Sequence, residues 1–228
     1  MKILVLNGSP KRGKSDTLCV TRAFLDGMNE VTENEIGIID VIDRHIEFCT
    51  GCFVCKKNGG TCIFNDDMKE LLKEYLESDL IVYSFPLHSF GMPAPLKSFV
   101  DRLMPLSAMT MVYEEERYKH VAQTDFERLH YLMICGCGYP NSKNNFEGVV
   151  RQFELKFPHN STIVTVPETP MFNIPQAQPF TAPRLAQFRK AGAEYANGLA
   201  LSKETLKEIT SPMIPEEIYA KFANGEMK

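Results

Sequence analysis

The sequence predicts an α/β protein built on a doubly wound, five-stranded parallel sheet with helices on both faces. Three observations carry this. Short apolar runs recur along the 228-residue chain, each of the length of a strand covered on both faces. Segments with apolar residues at helical spacing separate them. Two of the runs end in loops bearing glycine and proline, Leu6–Leu18 (LNGSPKRGKSDTL) and Ser84–Arg102 (SFPLHSFGMPAPLKSFVDR), that lead straight into helical patterns. Such alternation argues for βαβ units with right-handed crossovers.

Each element has a local reason. Ile3–Leu6 is a continuous apolar strand, broken by Asn7-Gly8-Ser9-Pro10. Ser15 or Asp16 caps a helix to about Asn29, with Leu18, Val20, Phe24, Leu25 and Met28 as its apolar positions. Ile36–Ile42 is the second strand. Asp66-Asp67 caps a helix carrying Met68, Leu71, Leu72 and Tyr75, because acidic groups suit a helix N-terminus. Leu80–Phe85 is the third strand and Pro95–Leu103 a helix. Met109–Arg128 reads as irregular and partly extended. Tyr131–Cys135 is the fourth strand, Asn144–Phe157 a helix and Ser161–Val166 the fifth strand. Pro167–Pro183 reads as a long connection, Arg184–Leu199 as the last main helix, and Lys203–Ile209 and Glu216–Phe222 as short helices. This pattern suits the flavodoxin-like strand order, whose ligand lies at the carboxyl ends of the strands. The expected division is a core over 1–166 and a C-terminal helical extension over 167–228, packed on that core or on a partner subunit.

Composition bounds the function. The chain is 44% hydrophobic and 24% charged, ordinary for a soluble protein. A formal charge of -4 gives no electrostatic case for nucleic acid or an anionic membrane. No apolar run approaches the ~20 residues of a membrane span. The run after Met1 is too short for a signal-peptide core. A cytoplasmic protein is expected, so the seven cysteines are not read as a disulfide framework.

The first loop has the chemistry of an anion site. Gly8 and Gly13 let the backbone turn and approach a ligand. Ser9, Ser15 and Thr17 offer hydroxyls, and Lys11, Arg12 and Lys14 add positive charge. A helix starting near Ser15 aims free N–H groups and its dipole at the loop. Gly8-x4-Gly13-Lys14-Ser15 also fits the GxxxxGK[ST] pattern of a nucleotide triphosphatase. That chemistry needs a Mg-binding acid at a strand end, and the third strand ends Ser84-Phe85-Pro86. A flavin or nucleotide phosphate site is the better reading.

With its Gly-Ser-Pro opening and Ser15-Asp16-Thr17 close, this loop resembles the phosphate loop of the NAD(P)H-dependent FMN reductases, whose fold is flavodoxin-like. Asn is commoner in that family at the position of Asp16. The stretch Ser84-x-Pro86-Leu87-His88-Ser89-Phe90-Gly91-Met92-Pro93-Ala94-Pro95-Leu96-Lys97, with Asp101-Arg102, resembles the family's second loop. By that resemblance Pro86, Leu87, His88, Ser89, Phe90, Gly91 and Met92 hold the isoalloxazine ring. The chemistry agrees: Leu87, Phe90 and Met92 supply apolar contact, and the backbone around Ser89–Gly91 supplies N–H groups. A third loop, Gly136-Cys137-Gly138-Tyr139, follows the fourth strand and approaches the same ring, with Tyr139 able to stack. Tyr139 and His88 are the candidates for the hydride or acceptor pocket. Lys97 and Arg102 read as helix-surface or fold salt-bridge groups, and Cys135 and Cys137 as small packing residues.

Cys49, Cys52, Cys55 and Cys62 put four soft ligands on one connection. Thiolates at this density suit zinc or iron–sulfur chemistry. The segment holds no histidine, and its spacing is too cramped for two separated zinc knuckles. The pattern resembles the compact motif of the iron–sulfur flavoproteins, which implies a [4Fe-4S] cluster passing electrons to FMN. Relatives of the FMN reductases without a cluster keep a similar segment through Asp66-Asp67-Met68, so free thiols or a redox pair stand beside it.

The resemblance implies an enzyme that reduces bound FMN with NAD(P)H and passes the electrons to a small acceptor such as a quinone, a flavin or an iron complex. The alternative is an electron carrier fed by a ferredoxin. A homodimer or homotetramer is expected by analogy.

Overall fold

Among the described residues, 1–114, 116–125 and 128–226, the computed structural model forms seven strands and seven α-helices. The strands are β1 (Lys2–Asn7), β2 (Glu35–Asp40), β3 (Leu80–Pro86), β4 (Ser107–Glu114), β5 (Arg117–Ala122), β6 (His130–Gly136) and β7 (Ser161–Val166). The helices are α1 (Asp16–Val31), α2 (Met68–Glu77), α3 (Ala94–Asp101), α4 (Glu147–Lys156), α5 (Gln178–Ala196), α6 (Lys203–Thr210) and α7 (Glu216–Ala223). Five strands pair in parallel in the order β2-β1-β3-β6-β7, which is the flavodoxin-like order expected from the alternation.

Alternation along each strand divides the apolar residues between two cores. Leu4, Leu6, Ile81, Tyr83, Phe85, Tyr131 and Met133 face one side, against Leu71 and Tyr75 of α2, Phe99 of α3 and Phe153 of α4. Ile3, Val5, Val82, Leu132, Ile134 and Val164 face the other, against Leu18, Phe24 and Met28 of α1 and Phe188 and Tyr195 of α5. Both faces being covered is why these strands read as unbroken apolar runs.

Two expectations change, and a third, left between two alternatives, takes one of them. Met109–Arg128 is no irregular stretch where it is described: β4 and β5 form an antiparallel hairpin with Tyr113 opposite Tyr118 and Met111 opposite His120. Its large side chains are solvent-exposed, so burial leaves no periodic mark on the sequence. Glu115, Phe126 and Glu127 lie outside the described residues. Second, Pro167–Pro183 is not one long connection. It contains 3₁₀ turns at Thr169–Asn173 and Pro175–Ala177, and α5 starts at Gln178 rather than Arg184. Pro179 is tolerated because first-turn N–H groups have no intrahelical partner, and Pro183 removes only one bond. Third, the extension packs on its own core, because α5 completes the face shared with α1.

That last contact depends on two glycines. A Cβ on Gly27 would lie 1.8 Å from the Arg189 carbonyl oxygen, and one on Gly192 would lie 1.8 Å from the Phe24 carbonyl oxygen. The backbones of α1 and α5 therefore touch at a reciprocal crossing that no side chain can enter.

The cysteine connection between β2 and α2 is tied down by an ion pair. Arg102, just past α3, donates to both oxygens of Asp66 at 2.6 and 3.1 Å, and the two side chains are 2% and 1% exposed. The amides of Glu47 and Met68 also donate to Asp66, at 2.8 and 3.2 Å. Burial opposes its charge, yet the Arg102 and amide hydrogen bonds prevail and hold the Asp66 carboxyl below its ordinary pKa.

Gly192→Ala should destabilise the fold by about 3 kcal/mol or more, above the usual overpacking range, because a carbonyl cannot rotate out of the way; urea unfolding reads it. Asp66→Asn should cost about 3–5 kcal/mol, since Arg102 is left buried without its counter-charge. Asp66 has a lowered folded pKa, so its contribution is complete above the unfolded value of about 3.9 and is lost as pH falls through the folded value. Denaturation midpoints followed through that acid range should therefore decline more steeply in the parent protein than in D66N.

Candidate functional site

The loop after β1 is shaped by Asn7, fully buried at the strand end. Its amide nitrogen donates to Asp40 Oδ1 at 2.6 Å and to the Arg12 carbonyl at 3.0 Å, and its Oδ1 accepts from the Ser9 amide at 3.2 Å. The left-handed turn residue is Arg12, φ +52°, not Gly13. Ser9 is buried and its Oγ accepts from the Lys11 amide. Ser15 caps α1, accepting from the Leu18 amide at 3.2 Å.

What this loop leaves open is directional. Among the described residues the amides of Asp16 and Thr17, at the head of α1, make no hydrogen bond. Thr17 is 1% exposed, and its Oγ1 is buried without a partner. An orphaned hydroxyl beside two orphaned amides fits the oxygens of a phosphate group. The loop cations stand outside this core. Lys11 pairs with Asp16 at 2.6 Å and Arg12 with Asp43 at 2.7 Å. Asp16 also accepts from Asn173, which donates to the Lys14 carbonyl at 3.0 Å as well. Lys14 is exposed.

The loop after β3 is a tight turn. His88 and Gly91 exchange both backbone hydrogen bonds, at 3.0 and 2.9 Å, while Ser89 and Phe90 between them have φ +48° and +62°. Two successive left-handed non-glycine residues are strained, and such strain gathers at functional sites. The Ser89 and Phe90 amides make no hydrogen bond among the described residues. His88, Ser89 and Phe90 are exposed, Pro86, Leu87 and Gly91 half-buried, and Met92 lies in the core. Lys97 pairs with Asp101 on the helix surface.

The loop after β6 meets this turn. The Leu87 amide donates to the Gly136 carbonyl at 2.6 Å. Phe90 and Tyr139 lie nearly parallel, 11° between planes and 6.2 Å between centroids, with both rings half-exposed. A Cβ on Gly136 would lie 2.6 Å from Thr17 Oγ1 and 2.5 Å from Thr169 Cγ2, so the third loop reaches the first only because this residue is glycine. Gly138 is exposed. Cys135 and Cys137 are buried, and burial pushes the Cys137 thiol up to about 11.

Sequence reasoning missed what holds the third loop. Glu168 (φ +59°, fully buried) donates its amide to the Tyr139 carbonyl at 3.0 Å, and its carboxylate accepts from the Met213 amide. Burial raises the Glu168 pKa despite that hydrogen bond. Tyr219 on α7 donates its hydroxyl to the Gly138 carbonyl at 3.0 Å. Residues 29 and 81 positions from their partners leave no local signal; the left-handed Glu168 alone could not have been found by motif.

The four cysteines of the connection line one small pocket with Arg102, Phe64, Met104 and Pro105. No three His, Cys, Asp or Glu side chains among the described residues gather tightly enough to hold a metal ion. A hydrogen bond from the Val54 backbone lowers the Cys52 pKa, whereas burial raises that of Cys55. The donor set is all sulfur, and Arg102 donates to Cys62 Sγ at 3.4 Å. That donor chemistry is the one a thiolate-ligated cluster takes, while the spacing among the described residues is not that of a site for a single metal ion.

Among the described residues no helix is long and apolar enough to cross a membrane. An iron-sulfur flavoprotein of Methanocaldococcus jannaschii is 36% identical over 106 residues, 46% of this chain and 53% of that protein. An FMN-dependent NAD(P)H:quinone oxidoreductase of Pseudomonas aeruginosa is 25% identical over 114 residues, 46% of this chain and 54% of that one. The chain thus spans about half the length of the curated relatives it matches. In fold it is similar to an FMN-dependent NADH-azoreductase from Bacillus anthracis solved with FMN. The TM-score is 0.58 at 20% identity, covering 87% of this chain and 99% of the other. An NAD(P)H:quinone oxidoreductase from Methanothermobacter marburgensis aligns with TM-score 0.60 at 18% identity, over 85% and 98%. The model of the flavodoxin-like fold family Flavodoxin_2 matches residues 1–167, and the chain belongs to that family.

Proposed function

We propose that this chain is an FMN-dependent oxidoreductase that takes electrons from NAD(P)H and passes them to a small acceptor. The observation that carries the reading is the meeting of three loops at the carboxyl ends of β1, β3 and β6, each with unanswered donors or exposed aromatic surface. The amides of Asp16 and Thr17 and the Thr17 hydroxyl suit the phosphate of FMN. The amides of Ser89 and Phe90 suit the electron-rich edge of a flavin ring, where fixed backbone dipoles stabilise added negative charge. Leu87, Phe90 and Tyr139 supply flat apolar surface. Bound FMN would supply the two-electron chemistry itself, and the chain's own part is to bind, orient and exclude water. No side chain needs to act as acid or base for this, and none is nominated. Names borne by the relatives, FMN-dependent NAD(P)H:quinone oxidoreductase and NADH-azoreductase, support the same class.

A second reading is favoured by a specific observation, the four cysteines lining one pocket. With a [4Fe-4S] cluster on Cys49, Cys52, Cys55 and Cys62 the chain would carry electrons between a ferredoxin-type donor and FMN. The 36% identical relative named an iron-sulfur flavoprotein supports it.

Titration of the flavin-free protein with FMN tests the common premise. Thr17→Val should weaken FMN binding by about 1.5–3 kcal/mol, roughly ten- to a hundredfold, the value of a hydrogen bond to a charged group. The same variant should leave the flavin-free protein as stable as the parent or more so, because it removes a buried hydroxyl that has no partner. Unchanged FMN affinity in T17V would place the phosphate elsewhere.

Electron donors separate the two readings. Rapid anaerobic bleaching of the flavin band on adding NADH or NADPH supports the reductase. Bleaching only with a reduced ferredoxin supports the carrier, and failure to bind FMN removes both. In the reductase, Tyr139→Ala should raise KM for a quinone several-fold with FMN affinity retained, since Tyr139 stands at the exposed rim.

A further inference from the structure

The cysteine pocket contains a hydrogen-bond donor that nothing in the described chain answers. Arg102 is 2% exposed. Its Nη1 donates to the Glu47 carbonyl at 2.8 Å and to Asp66 Oδ2 at 2.6 Å; its Nη2 donates to Asp66 Oδ1 at 3.1 Å and to Cys62 Sγ at 3.4 Å. Its Nε–H is buried and meets no acceptor. A buried donor without a partner is costly, and Arg102 is one of the residues lining the pocket with all four cysteines.

Charge points the same way. Lys56, next to Cys55, is 6% exposed, and among the described residues its ammonium donates only to Ser107 Oγ and the Ala108 carbonyl, at 3.1 and 3.3 Å. Among the described residues Asp66 is the only carboxylate paired with either cation. Among the described residues, two buried cations against one paired carboxylate leave an excess of positive charge on the neighbours of Cys55 and Cys62. Neutral thiols do not offset it, whereas a thiolate-ligated cluster, which is anionic, does.

We propose that Arg102 is a positioning residue of this pocket: its Nη2–H on Cys62 and its open Nε–H donate to the sulfurs of an anionic iron–sulfur cluster, fixing how firmly the cluster is kept and raising its reduction potential. The inference rests on the cluster reading above. Hydrogen bonds to cluster sulfurs are among the factors that set such potentials, and donors favour the more negative, reduced state. Asp66 holds the guanidinium in place, and the stacking of Arg102 over the Phe64 ring, 5.0 Å to the centroid, fixes its plane.

The test uses the full chain, purified without oxygen and supplied with ferrous iron and sulfide. Arg102→Lys keeps a cation for Asp66 but loses the forked donors. R102K should still take up iron and sulfide, release them to a chelator several-fold faster, and show a lower potential in a redox titration followed by electron paramagnetic resonance. Equal potential and equal release would overturn the role of Arg102 while the cluster reading stands. If the parent takes up no iron and sulfide, the cluster reading fails and takes this inference with it. A measurement on the unsubstituted protein does not depend on the variant folding. With ¹⁵N-arginine incorporated, the reduced cluster's electron spin should show a nitrogen coupling from the guanidinium, and its absence would refute the contact.

Discussion

The hydrogen-bond ladder of the sheet does not stop at the strand ends, and the rest of the site depends on that. The Gly8 amide donates to the Ser84 carbonyl at 2.9 Å, Leu87 to Gly136 at 2.6 Å and Cys137 to Val166 at 2.9 Å. Each bond reaches from one strand's loop to its neighbour, so the three loops form one rim before any ligand arrives. A buried bond between Thr21 of α1 and Ser84 of β3, 2.8 Å, ties the first helix to the same edge. Sites carried on rigid elements hold their donors in place, which lowers the ordering cost of binding. Here the rim also explains why donors can stay unanswered. The backbone is already committed to the ladder and cannot turn to satisfy them.

The loop after β1 illustrates how charge and direction are divided. Its sequence carries three cations, yet two of them are engaged, Lys11 with Asp16 and Arg12 with Asp43. Exposed pairs of this kind contribute little to stability, and they leave little free positive charge near the helix terminus. On the proposed reading, recognition falls to the Asp16 and Thr17 amides and the Thr17 hydroxyl, which are fixed in direction, rather than to lysines, which are not. Asp16, an unfavourable residue beside a phosphate, is turned toward Lys11 and Asn173 instead. The C-terminal 3₁₀ turn that supplies Asn173 thereby takes part in shaping the first loop.

The main elements were legible wherever burial imposes a period. Ile3–Leu6, Leu80–Phe85 and Tyr131–Cys135 are buried on both sides and read as apolar runs; Ser15 caps α1 because its hydroxyl reaches Leu18. What was not legible is long-range or exposed. The β4–β5 hairpin buries no face along its outer length, so neither period is written into it. Asp66 and Asp67 read as helix caps, and Asp66 does accept from Met68, but Asp67 turns to the His45 amide and the main partner of Asp66 is Arg102. A carboxylate before a helix looks the same in sequence whether it caps or forms an ion pair. The crossing of Gly27 and Gly192 is a contact between residues too far apart for any window to see.

Arg102 joins the two halves of the candidate site. The turn that presents Ser89 and Phe90 leads through buried Met92 and Pro93 directly into α3, and the residue just past the end of α3, Arg102, lines the cysteine pocket. A helix of 8 residues is about 12 Å long. The Ser89–Phe90 turn and the sulfur-lined pocket therefore sit at opposite ends of one short rigid rod. Phe99 and Leu96 fix that rod in the core, and the Asp66 ion pair fixes its far end. A group at one end cannot shift relative to a group at the other without unpacking the helix between them. On the proposed cluster reading, α3 would keep the two centres at a constant separation, through Leu96 and Phe99 in the core and the Asp66 ion pair at its far end.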